Sequence, residues 1–244
     1  MHSVGSRVRL ARGQLRIQGI TNKKARTAEL KSQIKDLETK VKSDPDLTLK
    51  KPQVLEYRNW IKTTKSAVDT LPGGPLASGA GGDGAVASPG GGGTDSAAVI
   101  LLGLIQRSNL PTISRVVDSM NLISVRHGVA ISIWDADKVQ GEISYKLSKG
   151  GEKYWPFMGE QELSLLEDEL IGVDESGVCR CLVRYRDSKY AAVSVDTKNI
   201  IVHMQGINIS DDADIMAPLE ELRQLLVGAV GGDVTDISMK KMEF

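Results

Sequence analysis

The side chains best suited to chemistry in this chain of 244 residues are few and scattered. Asp135 and Asp137 stand two apart behind Trp134, and Glu142 follows closely. Such a carboxylate set could hold a divalent cation for phosphoryl or glycosyl transfer, although the same residues are common turn formers. Cys179, Cys181, His127 and His203 are the soft-ligand candidates. Zinc sites usually separate paired cysteines by about two to four residues, and here a single residue intervenes. The two thiols are therefore expected on one face of a strand, inside a core. Asp187-Ser188-Lys189 resembles the acid-x-Lys half of a nuclease site but equally suits a turn. Gly79-Ala80-Gly81-Gly82-Asp83-Gly84 spells GxGxxG, with neither a strand before it nor a helix after it. GxxxxGK[ST], HExxH and GxSxG are all missing, so the chain reads as non-enzymatic and free of cofactors. The alternative is a metal-dependent transferase built on Asp135, Asp137 and Glu142.

Charge gives a second kind of candidate. The net charge is zero, yet residues 1–72 hold 16 Lys and Arg against 7 Asp and Glu, and the acidic surplus lies beyond them. Residues 1–26 contain no acid at all. Arg7, Arg9, Arg12, Arg16, Lys23, Lys24 and Arg26 there suit a polyanion, RNA above all, contacted through its phosphates. Gly5, Gly13 and Gly19 argue against a regular helix, so residues 1–21 are expected to form a disordered basic arm. Lys146, Lys149, Lys153, Tyr154 and Trp155 form a second basic and aromatic cluster, suited to single-stranded nucleic acid. Arg180, Arg184 and Arg186 share one parity of a strand and offer a third surface.

The elements that would position these groups fall on either side of a glycine tract. Residues 72–95 hold ten of the 25 glycines and too little apolar surface to fold, which predicts a flexible linker. Before it, Leu30, Ile34, Leu37 and Val41 recur at helical spacing, as do Val54, Tyr57, Ile61 and Val68. These two stripes predict a helical hairpin, coiled-coil-like, over 22–71. Alone it would bury too little to be stable, so the stripes are assigned to self-association into a homo-oligomer. After the tract, residues 96–232 predict an α+β domain with an antiparallel meander, and 233–244 a fraying tail. Helices are expected at 97–105, 112–123, 160–171 and 217–230, with strands at 129–134, 142–147, 178–185, 190–195 and 200–206.

The N-terminus carries no apolar core of signal-peptide length, and no run could span a bilayer. With only two cysteines, a reducing, cytoplasmic setting without membrane partners is expected. Taken together, the residues predict a multivalent interaction protein. Its N-terminal part would self-associate and bind RNA, while a tethered C-terminal domain binds a protein partner. The order of coiled segment, linker and small terminal domain resembles that of compact viral accessory proteins or polymerase cofactors.

Overall fold

The computed structural model describes residues 8–68, 96–157, 161–183 and 186–244. Arg7, Arg184 and the whole expected linker at 72–95 lie outside them. The first element is a strand, β1 (Arg9–Gln18). Four helices follow: α1 (Ala28–Ser43), α2 (Pro52–Val68), α3 (Ala97–Arg107) and α4 (Arg115–His127). Next come β2 (Ala130–Asp135), β3 (Ser144–Lys149), β4 (Lys153–Tyr154), β5 (Leu163–Ser164) and β6 (Glu167–Val173). The chain closes with β7 (Val178–Cys181), β8 (Arg186–Asp187), a 3-10 turn at Lys189–Ala191, β9 (Ile200–Ile207), α5 (Ala213–Val230) and β10 (Asp233–Glu243).

The fold is α+β with antiparallel sheets. Sheet one runs β10-β1-β9-β2 and sheet two β3-β6-β7-β8, with β4 and β5 as a separate ribbon. Strand β1 forms because its residues alternate. Ala11, Leu15 and Ile17 join the main core, while Arg12, Gln14 and Arg16 take the opposite face. It lies between β9 and β10 and is hydrogen-bonded to both. Gly13 is part of the same design. A Cβ there would come within 2.8 Å of Ile215 and 2.9 Å of Leu219, so the bare backbone is what lets α5 lie close.

Helix α1 starts where the Thr27 hydroxyl accepts from the Leu30 N–H at 3.2 Å, and it stops before Pro45. Helix α4 is capped by Ser114 and ends at Gly128, whose left-handed φ of 73° no side chain adopts easily. Leu30, Ile34, Leu37 and Val41 pack with α3, α4 and α5 onto one face of sheet one. Tyr57, Trp60 and Ile61 of α2 enter a second cluster with Leu170, Ile171 and Leu182 of the sheet-two region, joined by Leu10 and Ile207. The Tyr57 hydroxyl donates to the Leu182 carbonyl at 2.7 Å, which ties α2 down.

These contacts correct the expected N-terminal architecture. Among the described residues there is no free-standing hairpin and no coiled coil, because the two stripes are spent in the chain's own cores. Leu30, Ile34, Leu37, Val41, Val54, Tyr57 and Ile61, assigned to self-association, are all buried within the chain; the Val68 side chain lies outside the described set. The expected basic arm is strand β1 from Arg9 onward, and the expected tail is β10. The helix expected at 160–171 is instead β5 and β6, since Leu170 and Ile171 are both buried and a strand can bury both faces. The meander is replaced by the β6-β7-β8 pairing, with β9 in the other sheet and a 3-10 turn where a strand was expected at 190–195.

Two substitutions test this packing in urea melts. Ile34→Ala should cost about 2–5 kcal/mol as a core truncation. Gly13→Leu should cost about 1–3 kcal/mol by forcing α5 off the sheet. A neutral result for Ile34→Ala would mean that the α1 stripe is not core.

Candidate functional site

The face of sheet one that turns away from the helices is polar. Gln14, His203 and Ser132 are register partners across β1, β9 and β2, and Arg12 and Gln205 form the next row. Sheet two supplies a matching row, since Tyr145, Gly172, Arg180 and Asp187 pair in sequence across β3, β6, β7 and β8. Gly172 makes room in that row: a Cβ there would come within 3.3 Å of the Tyr145 ring. Hydrogen bonds join the two rows into one seam.

His203, fully buried, is the centre of the seam. The Gln14 amide nitrogen donates to Asp236 at 2.6 Å, so the Gln14 oxygen faces His203 Nε2 at 2.9 Å. The Nε2 therefore carries the proton, and Nδ1 accepts from the Tyr145 hydroxyl at 3.0 Å. Gln205 Nε2 donates to that hydroxyl at 3.1 Å and to Ser132 Oγ at 3.3 Å. Arg180 Nη1 donates to Ser132 and, at 3.0 Å, to Asp187. Trp134 meets the imidazole edge-on, with ring centres 5.0 Å apart.

Burial and the positive charges of Arg12, Arg16 and Arg180 hold the imidazole well below its ordinary pKa, hence neutral. Burial also pushes the Tyr145 phenol up to about 12. Burial raises the Asp187 carboxyl too, against the opposing pull of Arg180 and Ser132. The seam is thus a neutral histidine among guanidinium groups. It is also incomplete, because Arg12 Nε, Arg180 Nε and Gln205 Oε1 are buried with no hydrogen-bond partner among the described residues. Two donors and one acceptor of the seam left so mark where solvent or a ligand group completes the network.

The candidates read from the sequence are dispersed. Arg12 and Arg16 enter the seam's edge, bonding the Ile143 carbonyl at 3.2 Å and Glu142 at 3.1 Å. Arg26 lies inside the protein, on Asp118 at 2.7 Å and on the Leu110 and Pro111 carbonyls. Arg9, Lys23 and Lys24 are exposed. Asp135 is engaged by Thr197 at 2.8 Å and by Lys138 at 3.1 Å, and Asp137 accepts from Asn199 at 2.8 Å. With Glu142 held by Arg16, the three carboxylates make no common site, and no group of three potential metal ligands occurs among the described residues. Cys179 and Cys181 are buried and not joined in a disulfide. His127 pairs with Glu221 at 2.6 Å beside a groove of ≈ 180 Å³ between α1 and α5. That groove's polar groups largely satisfy one another: Arg126 also reaches Glu221 and Gln33, and Gln33 reaches Glu29. Sequence reading missed the seam, although the alternation Arg12, Gln14, Arg16 could have signalled a polar strand face.

Comparison with known proteins finds one family model and several partial relatives. The B3/4 domain model matches residues 94–214, just under half of the chain. Over 98 residues, 40% of this chain, it is 32% identical to the phenylalanine–tRNA ligase beta subunit of Neisseria meningitidis serogroup B. Identity to the Neisseria gonorrhoeae beta subunit is 29% over 98 residues. The matched stretch spans 12% of the length of these relatives. A solved N-terminal fragment of the phenylalanyl-tRNA synthetase beta subunit from Pyrococcus horikoshii aligns at 21% identity and a TM-score of 0.43, covering 52% of this chain and 45% of that one. The last likeness is too loose to argue from. The family and sequence matches overturn the expectation of a viral accessory protein, a polymerase cofactor or a metal-dependent transferase. Among the described residues no helix is long and apolar enough to cross a membrane.

The buried imidazole sets a pH dependence. A histidine whose folded pKa lies below its unfolded value of about 6.5 makes the unfolded state the better proton binder as pH falls. Stability should therefore drop below about pH 6.5, by at most about 1.4 kcal/mol per pH unit for this one group. Denaturant melts of His203→Gln between pH 7.5 and 5.5 should show that slope reduced. An unchanged slope would show that His203 is not buried neutral.

Proposed function

We propose that this chain is a tRNA-directed module, working on or beside the RNA that a phenylalanine–tRNA ligase handles. The observation that carries the reading is the B3/4 match at residues 94–214. That stretch contains Ser132, Trp134, Tyr145, Gly172, Arg180, Asp187, His203 and Gln205, which is most of the polar seam. The relatives are subunits of a ligase, so lacking hydrolase and nucleotide-binding motifs is no argument against a role in aminoacyl-tRNA chemistry. Strand β1 completes the seam from outside the matched stretch, through Arg12 and Gln14.

RNA recognition of this kind combines phosphate contacts with contacts to unpaired bases. Among the described residues, Arg9, Lys23 and Lys24 are the exposed cations of the N-terminal basic set that suit phosphates. Arg26 belongs to a buried ion pair and is assigned to stability.

Fluorescence anisotropy with labelled tRNA tests this reading. Binding should weaken as salt rises, and Lys23→Glu with Lys24→Glu should weaken it further and flatten the salt dependence by about 0.7–0.9 per lost contact. Arg26→Ala should instead destabilise the fold by about 3–5 kcal/mol, as expected when Asp118 loses its partner. Absence of tRNA binding by the intact chain at low salt would overturn the reading.

A further inference from the structure

Sheet one ends in β10, and among the described residues no strand pairs with its outer side. Helix α5 lies over the inner strands instead, since Gly13 of β1 and Gly206 of β9 both take Ile215 at close range. At 11 residues β10 is long for an edge, and open edges recruit further strands through their unpaired N–H and C=O groups. Which of those groups face outward follows from the register. Val8 and Phe244 exchange both backbone hydrogen bonds, at 3.2 and 3.0 Å. Opposed residues alternate between bonded and non-bonded pairs, so Met242, Lys240, Ser238 and Asp236 also turn their peptide groups toward β1. Ile237, Met239 and Lys241 turn theirs outward.

The side chains show what the edge suits. Lys240 is exposed and stands opposite Arg12 in the β1–β10 register, a like-charge pair of the kind that weakens a sheet. Asp236 accepts from Gln14 at 2.6 Å and from Ser238 at 3.1 Å, both through Oδ2, which leaves Oδ1 for a cation. Lys241 is already engaged by Asp212. Ile237 is 39% exposed.

We infer that two copies of this chain pair along β10, antiparallel about a two-fold axis at Ser238. A ladder needs outward-facing residues opposite outward-facing residues, so the axis must pass through a residue. At Ser238 it sets Asp236 of each copy against Lys240 of the other, and Ile237 against Met239. The Ile237–Met239 pairs exchange the N–H···O bonds. The charged pairs are of the non-bonded kind, whose Cα atoms approach to about 4.5 Å and whose side chains meet closely. An axis at Ile237 would instead put Lys240 opposite Val234, and one at Met239 would put it opposite Ser238. Charge therefore selects the register, and it gives Lys240 the carboxylate that Arg12 does not supply. The register shift at Thr235 confines the regular run to Asp236 onward, so the interface is short and the dimer weak. The axis stands perpendicular to the sheet, which keeps both polar seams on one side of the pair. This surface is distinct from the buried stripes of α1 and α2, and the inference does not rest on the tRNA-directed reading.

Sedimentation equilibrium of the full chain tests it at concentrations up to about 1 mM, the weak end of the affinity scale. The mass should rise from one chain toward two. Ile237→Pro removes an outward N–H at an exposed edge position, leaves the bonds to β1 in place and should abolish the rise. Lys240→Asp and Asp236→Lys should each weaken association about tenfold, by setting like charges opposite one another twice. An equimolar mixture of those two variants restores opposite charges at both pairs and should recover the dimer, which no purely structural defect would do. Near-UV circular dichroism checks that each variant is folded. A single-chain mass at every concentration overturns the inference, whether β10 stays open or a different polypeptide takes it up. A dimer that folded Ile237→Pro and Lys240→Asp leave unchanged overturns it by placing the contact elsewhere. A mixture no stronger than its components overturns the register about Ser238.

Discussion

A polar group taken out of water must find partners inside the protein, and this demand shapes the space between the two sheets. Arg12, Gln14, His203 and Gln205 line one face of sheet one, where a simple sandwich would place aliphatic residues. Sheet two answers with Tyr145, Arg180 and Asp187, and Gly172 gives the tyrosine room. Because Tyr145 bonds His203 and Gln205 and Arg180 bonds Ser132 across the gap, the two sheets fix one another's position through hydrogen bonds as well as packing. Arg12 Nε, Arg180 Nε and Gln205 Oε1 remain unmatched among the described residues, and at them the seam can receive something else.

The same demand explains why the chain's first strand matters. Strand β1 is bonded on one side to β9 and on the other to β10, so the first and last described strands pair in one sheet. The chain after the glycine tract is therefore not self-sufficient: without β1 its seam would lack Gln14 and Arg12, and its main core Ala11, Leu15 and Ile17. The B3/4 match begins at residue 94, after β1. A boundary drawn on sequence similarity alone would leave out residues that the site needs.

How much was legible in the sequence follows from what each pattern can say. Periodicity located α1 through Leu30, Ile34, Leu37 and Val41, but a stripe does not say what covers it, and here the cover is the chain's own α3, α4 and α5. Strands β2 and β9 fall close to the expected 129–134 and 200–206, because Val and Ile at short range carry a strong strand preference. β1 was hidden by its arginines. Their sign suggested a solvated arm, whereas their alternation with Ala11, Leu15 and Ile17 is that of a half-polar strand. Leu163, Leu166 and Leu170 show helical spacing within β5, β6 and their link, where burial on both faces makes period a poor guide. The seam could not be assembled beforehand, since its rows run over seven strands and meet only through tertiary register.

The proposed tRNA-directed role requires that RNA meet this chain at the seam between the two sheets. Ultraviolet cross-linking of bound tRNA to the full chain, with the adducts mapped by mass spectrometry, tests it most directly. Adducts should concentrate on the peptides that line the seam and on the one that carries Lys23 and Lys24. Adducts confined to the outer helices α1 and α5, with none on those peptides, would contradict it.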